Sequence, residues 1–220
     1  MASLRDRIQA KKFRLYLAWP FALLAVCFLP THPPLFKPAL LWIALGEAIR
    51  IWASGSIVKS KILSVSGPYR VVRNPLYLGS FLVGGGFAFI LWHPVVFGLT
   101  LIFFWFFYLK TIQKEERSLT ENFGESYRLY CQNVPRLLPR FSPYRGSTKE
   151  PFRWMRLYEN GETITLLTIF LILILLHFKS VWWERHLRTA SDPLFMILFV
   201  LVGCETLREV LIRRYKDVPK

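Results

Sequence analysis

Apolar residues in this chain fall in long runs, separated by basic, proline-bearing stretches. Half-buried strands would alternate apolar and polar positions, whereas unbroken runs of this kind belong to helices that are apolar all round. The first run goes from Leu15 to about Pro30, behind a start carrying Arg5, Arg7, Lys11, Lys12 and Arg14. A second opens at Pro38 and ends near Ile57, and a third spans Leu76 to Trp92. After a tight turn at His93-Pro94, a fourth spans Pro94 to about Thr111 and is expected to continue into water as a helix carrying Glu115 and Glu116. A proline-rich passage from Pro135 to Pro151 follows, then a fifth run over about Glu162 to Phe178 and a sixth over about Pro193 to Ile212. Several runs lie near the lower limit of about 17 residues for a spanning helix. A charged start before a short apolar run also suits a signal peptide. Here the chain continues Pro30-Thr31-His32-Pro33-Pro34 with no small-residue cleavage site, so the first run reads as a membrane helix. The predicted fold class is an all-α integral membrane protein of about six transmembrane helices, with a cytoplasmic helical segment after the fourth.

Composition agrees. With 53% hydrophobic and 16% aromatic residues among 220, the chain is too apolar for an ordinary soluble domain. The net charge of +15 sits between the runs, which decides what it means. Basic loops are held on the cytoplasmic side of a membrane, a simpler account than nucleic-acid binding, and no nucleic-acid partner is expected. With the N-terminus inside, the 59–73 loop, the 110–161 segment and the 213–220 tail are all cytoplasmic and hold most of the Lys and Arg. The outer turns then carry only Lys37, Lys179, Arg185 and Arg188, and Trp182 and Trp183 suit an outer aromatic belt. Both termini are predicted cytoplasmic.

Metal chemistry finds no support in the pattern. Cys27, Cys131 and Cys204 are far apart, and His32, His93, His177 and His186 form no ligand spacing, so neither a metal nor a disulfide framework is expected.

Two polar stretches carry the candidate chemistry. The first is Gly67-Pro68-Tyr69-Arg70-Val71-Val72-Arg73-Asn74-Pro75-Leu76-Tyr77-Leu78-Gly79. Pro75 suits the first residue of a helix and Asn74 its N-cap, and the free N–H groups of such a start favour an anion. Gly79 and Gly84-Gly85-Gly86 remove side chains where something approaches closely. The second stretch is Glu115-Glu116-Arg117-Ser118-Leu119, then Phe123-Gly124, Tyr127, Tyr130 and Val134-Pro135-Arg136-Leu137-Leu138-Pro139. Together the two resemble the isoprenylcysteine carboxyl methyltransferase and phospholipid methyltransferase superfamily. Its pattern is G-x-Y-x-x-x-R-[HN]-P-x-Y-x-G, then E-E-x-x-L, F-G, two tyrosines and V-P-x-x-x-P. Order and spacing agree over about residues 40 to 140.

The resemblance implies a membrane enzyme that moves a methyl group from S-adenosylmethionine to a lipophilic acceptor, a membrane lipid or lipidated molecule, at the cytoplasmic membrane surface. Tyr69, Asn74, Pro75, Leu76 and Tyr77 match positions that line the cofactor pocket, and Ile62 and Leu63 lie in the preceding segment that also touches it. Glu115 matches the family's cofactor-binding glutamate; its carboxylate would pair with the donor's ammonium, while Arg73 and the helix start face the donor's carboxylate. Arg73 and Glu115 are accordingly the catalytic candidates. Asn74 stands where the prenylcysteine enzymes carry His, and Thr111, beside Lys110, stands where they carry a substrate-binding Arg. The acceptor is thereby left open between a carboxylate and an amine. The implied organisation is a methyltransferase-like membrane core over 1–140, followed over 141–220 by a cytoplasmic linker and an extra two-helix membrane hairpin.

Two other readings stand beside this one. The scaffold is similar to that of membrane sterol reductases, which use NADPH. A non-enzymatic adaptor or transporter would place its pathway at intramembrane charges. Glu47 and Arg50 in the second run and Glu205 and Arg208 in the sixth have the same i, i+3 spacing on one helical face. Arg50, Lys110, Glu205 and Arg208 are the candidates for contact with the acceptor.

Overall fold

The computed structural model describes residues 31–58, 62–146 and 151–184. The first run, the sixth run, Glu205 and Arg208 lie outside the described residues. Among the described residues every regular element is helical. A 3-10 turn over Pro33–Leu35 leads into α1, Phe36–Ser56. After a second 3-10 turn at Gly67–Arg70 comes α2, Pro75–Leu91, with Pro75 at its start as the sequence implies. Trp92 ends α2 in the left-handed region (φ 41°), and Pro94 opens α3, Pro94–Phe103, in a new direction. A π-helical turn, Phe104–Tyr108, joins α3 to α4, Leu109–Asn133, so that one rod runs from the fourth apolar run into the polar segment. Short α5, Met155–Asn160, precedes α6, Glu162–Glu184.

The helices α1 and α2 lie antiparallel and very close. A Cβ placed on Gly79 would stand 2.5 Å from the Gly46 carbonyl oxygen, and one on Gly46 would stand 2.7 Å from that of Gly79. Only glycine fits such a contact between backbones, the usual device by which helices associate in lipid, where apolar surface alone gives little drive. Helix α6 completes the layer: Ile169 and Leu176 share one buried cluster with Ala39 and Ile43 of α1 and Val83, Ile90 and Leu91 of α2. Thus α6, the long described helix of the 141–220 segment, packs into the same core as the helices of the motif region.

Many large apolar side chains point outward. Leu41 is 74% exposed and Trp105 66%, and Trp42, Leu45, Leu99 and Ile102 are exposed beside them. Water would disfavour this arrangement and lipid would not. By length and composition, two of the described helices are able to cross a membrane: the rod Pro94–Asn133 and Glu162–Ser180 of α6.

The polar half of α4 is amphipathic. Ile112, Glu116, Tyr127 and Tyr130 are buried at helical spacing, with Leu119 and Phe123 partly buried between them. Gly124 breaks the helix, at φ 53° and ψ −123°. Beyond it Tyr127, Tyr130 and Val134 close on Val65 and Leu63, which brings the end of α4 onto the segment before α2.

Candidate functional site

The two motif stretches meet through backbone hydrogen bonds. The N–H of Arg73 donates to the carbonyl of Pro135, that of Arg140 to Val71 and that of Tyr144 to Arg70, each at 2.9 Å. The chain after α4 is therefore a strap laid along the segment that enters α2. Tyr130 fastens it from the helix side, its hydroxyl donating to the Tyr69 carbonyl at 2.7 Å.

Beneath the strap, at the N-terminus of α2, Glu116 is buried with cations around it. Arg136 reaches one of its oxygens, Oε2, with Nε at 3.0 Å and Nη2 at 2.7 Å. Asn74 Nδ2 donates to Oε1 at 3.2 Å, and Arg73 Nη1 lies 3.5 Å from the same oxygen. Arg73 Nη1 also contacts the sulfur of Cys131. Its Nε–H is buried and finds no acceptor among the described residues. Two guanidinium groups against one carboxylate leave the cluster with a positive surplus, and the first turn of α2 adds the partial charge of its free N–H groups. Such an arrangement accepts an anionic group at Arg73 and offers a carboxylate, Glu116, to a cationic one.

Asn74 occupies the N-cap position of α2, but its side chain makes no capping bond. It donates instead to Glu116 and, at 3.2 Å, to the Arg136 carbonyl. An ionised carboxylate is a stronger acceptor than the amide is a cap, so the side chain turns away from the helix.

The other residues singled out from the sequence are placed as follows. Pro75 is buried, and Leu76 and Tyr77 are half-buried on the first turn of α2; the Tyr77 ring meets Tyr108 edge-on, with centroids 5.3 Å apart. Tyr69 is buried, Leu63 packs against the tyrosine cluster and Ile62 is exposed. Glu115 is exposed, one helical step round from its buried neighbour Glu116. Lys110 is exposed, its ammonium 6.0 Å from the centre of the Phe106 ring. Arg50 is remote from these in contacts: it pairs with Glu162 of α6 at 2.8 Å and lies 3.5 Å from Glu47. Glu116 and Arg136 belong to this cluster although motif matching alone did not select them. The buried stripe of α4 was the available signal, since it contains position 116 and excludes 115.

Burial pushes the hydroxyls of Tyr69, Tyr127 and Tyr130 well above the ordinary phenol range, with nearby anions, Glu115 for Tyr69 and Glu116 for the other two, adding to the effect. These tyrosines are neutral donors at neutral pH. Hydrogen bonding to Glu116 raises Arg136 further, so it stays a cation.

Comparison with known proteins bears out the resemblance. Residues 41–126 match the model of the phospholipid methyltransferase family. That stretch carries Asn74 to Tyr77 and Glu115-Glu116, and ends before Arg136. Among curated proteins, the chain is 30% identical over 118 residues to the cobalt-zinc-cadmium resistance protein CzcN of Cupriavidus metallidurans, a match covering 53% of this chain and 54% of that one. It is 40% identical over 81 residues to the protein-S-isoprenylcysteine O-methyltransferase of Xenopus laevis (36% of this chain, 28% of that one). It is 37% identical over 79 residues to the methanethiol S-methyltransferase of Pseudomonas deceptionensis (36% and 29%). The chain thus spans about half the length of the first of these relatives and under a third of the other two. No solved structure matches it significantly.

Proposed function

We propose that this chain is a membrane-embedded methyltransferase that takes its methyl group from S-adenosylmethionine and passes it to the carboxylate or amine of a lipophilic acceptor at the cytoplasmic membrane surface. The observation that carries the reading is the pairing at the start of α2: the buried Glu116 carboxylate beside a half-buried Arg73 whose buried Nε–H lacks an acceptor among the described residues. Together they suit the two ends of an amino-acid group, which the donor presents as an ammonium and a carboxylate. When bound, the donor supplies a methyl on a sulfonium centre. The chain's own residues bind and orient. Arg73 and the α2 N-terminus take the carboxylate, and Glu116 takes the ammonium in place of part of its contact with Arg136. Asn74 holds Glu116 in place. Tyr69, Tyr77 and the strap wall the pocket, and Ile62, Leu63, Pro75 and Leu76 lie on the same two segments. Positioning of two bound reactants contributes much of the acceleration of a displacement of this kind. A carboxylate acceptor needs no base, and the buried tyrosines, held neutral, are suited to donate rather than accept. Arg50 and Lys110 stay as candidates for acceptor contact, together with Glu205 and Arg208.

Equilibrium binding of labelled S-adenosylmethionine and of NADPH to the purified protein tests the reading. Binding of the first alone is expected; binding of NADPH alone would favour a reductase, and binding of neither an adaptor or transporter. Incubation of membranes with methyl-labelled donor, followed by mass spectrometry of the lipids, then identifies the acceptor.

A further inference from the structure

A second buried charge cluster lies where α1, α2 and α6 meet, and its donors and acceptors do not balance. Glu162, the first residue of α6, is fully served: Oε1 accepts from Arg50 Nε and Oε2 from Ser54 Oγ, each at 2.8 Å. The remaining Arg50 nitrogens are also engaged, Nη1 with Ser80 Oγ of α2 and Nη2 with Thr165 Oγ1 at 3.4 Å. Asn160 donates to the Ser54 carbonyl at 2.8 Å, which ties the start of α6 to the end of α1. Glu47 is the exception. Its residue is 6% exposed, and among the described residues neither carboxylate oxygen has a hydrogen-bond donor. Arg50 Nε is 3.5 Å from it, but that nitrogen's single hydrogen already goes to Glu162. The two carboxyl groups converge on one nitrogen, Arg50 Nε, with Glu47 Oε2 at 3.5 Å and Glu162 Oε1 at 2.8 Å. Two ionised carboxylates beside one guanidinium, buried between helices, would leave an uncompensated negative charge and two oxygens with no donor, both strongly unfavourable.

We propose that Glu47 and Glu162 form a proton-binding site in which one proton is shared between the two carboxyl groups, so that Arg50 neutralises the single remaining charge. The proton supplies the donor that Glu47 lacks. Among the described residues the titratable and charged groups around it are Arg50 on α1, Glu162 on α6 and, further off, Tyr69, which feels the charge of Glu162, and Arg156 of α5, which is turned to the carbonyls of Gly55 and Ser56. From α2 the neighbour is the neutral Ser80. Because the pair forms only when α1 meets α6, the folded protein carries one proton more than the unfolded chain from about pH 4.3, where a free glutamate ionises, up to the pH at which the pair gives up the shared proton. Stability therefore falls as pH rises through that range.

Infrared spectroscopy of the purified protein in D2O tests the site directly. A protonated carboxyl has a carbonyl stretch above the amide I band. We expect that band at neutral pH in the wild type and its loss in Glu47→Gln, whose amide hydrogen takes over the proton's bond to Glu162 without titrating. The thermal midpoint of the wild type should fall with rising pH by at most about 3–5 °C per pH unit, a slope that Glu47→Gln abolishes. Should that variant fail to fold, Glu162→Gln gives the same readout: its amide donates to Glu47, which ionises against Arg50, and the band again disappears. A wild-type spectrum with no such band at neutral pH would overturn the proposal, since another cation would then neutralise Glu47. So would a band that survives both substitutions.

Discussion

Arg136 grips one oxygen of Glu116 with two nitrogens, at 3.0 and 2.7 Å, from an extended strap twenty residues further along the chain. Glu116 in turn holds Asn74 at the entrance to α2. One carboxylate thus joins the strap, the rod of α3 and α4, and the helix start at which the proposed donor site lies.

The first prediction separates the two adjacent glutamates. Replacing Glu116 by Gln keeps the shape and removes the charge. A charge-assisted contact contributes about 1.5–3 kcal/mol, so affinity for S-adenosylmethionine should fall roughly 10- to 150-fold. Glu115→Gln, on the exposed side of the same turn, should change it by less than about twofold. Equilibrium dialysis with labelled donor checks both, and a larger loss in Glu115→Gln would return the role to that residue.

Loosening the strap should be visible without any ligand. In Arg136→Ala the buried Glu116 keeps Asn74 and Arg73 but loses its shortest contacts, and the strap loses its side-chain anchor. We expect the amides of Arg73, Arg140 and Tyr144 to exchange with solvent about tenfold faster, equivalent to about 1.4 kcal/mol of local opening. Arg136→Lys should recover only part of the protection, because an ammonium cannot reproduce the forked contact. Hydrogen exchange read by mass spectrometry decides it.

The buried tyrosines set an alkaline limit. Their hydroxyls are raised in the folded protein, so as pH climbs the unfolded chain loses phenolic protons first. Stability contributed by Tyr69, Tyr127 and Tyr130 is complete below the ordinary phenol value of about 10 and is lost as pH rises above it. Thermal unfolding between about pH 9 and about pH 11 should show this fall, and Tyr127→Phe should lessen it. An unchanged slope in that variant would remove Tyr127 from the account.

At Gly124 the φ of 53° with ψ −123° is strained for any residue with a Cβ, although nothing lies within 4 Å of where that atom would be. Gly124→Ala should destabilise the end of α4 by about 1–2 kcal/mol through backbone conformation alone. Denaturation in a mild detergent measures it. A neutral effect would mean that the kink can straighten without disturbing Tyr127 and Tyr130.

Much of this was legible in the sequence because it is local. Proline at the start of α2, the turn at His93-Pro94 and the continuation of the fourth run into a polar helix follow from residue types within a turn or two of each other. Which of Glu115 and Glu116 is buried was also accessible: positions 112, 116, 119, 123, 127 and 130 form one apolar stripe, and Glu116 is its only charge. What motif spacing does not carry is orientation about the helix axis. The partnership of Arg50 with Glu162 was hidden for a different reason. The two are 112 residues apart, and the i, i+3 pair Glu47–Arg50 offered a nearer match for the same charge. Likewise an Asn before a helix-opening Pro reads as a cap, and only the presence of an anion from a distant helix redirects it.

The strap has a consequence for synthesis. Arg70 and Tyr144, which it joins, are 74 residues apart, whereas the glycine contact between α1 and α2 is complete once residue 91 has been added. At ordinary elongation rates, about 4–15 s pass between the appearance of the first motif and the arrival of its cover. Over the first part of that interval Arg73 and Asn74 are present without Glu116, and over most of it without Arg136 or the Pro135 carbonyl, on a helix pair already able to assemble. The nascent chain therefore passes through a stage in which the α1–α2 pair can already close on its glycine contact while the cationic loop that enters α2 is still uncovered.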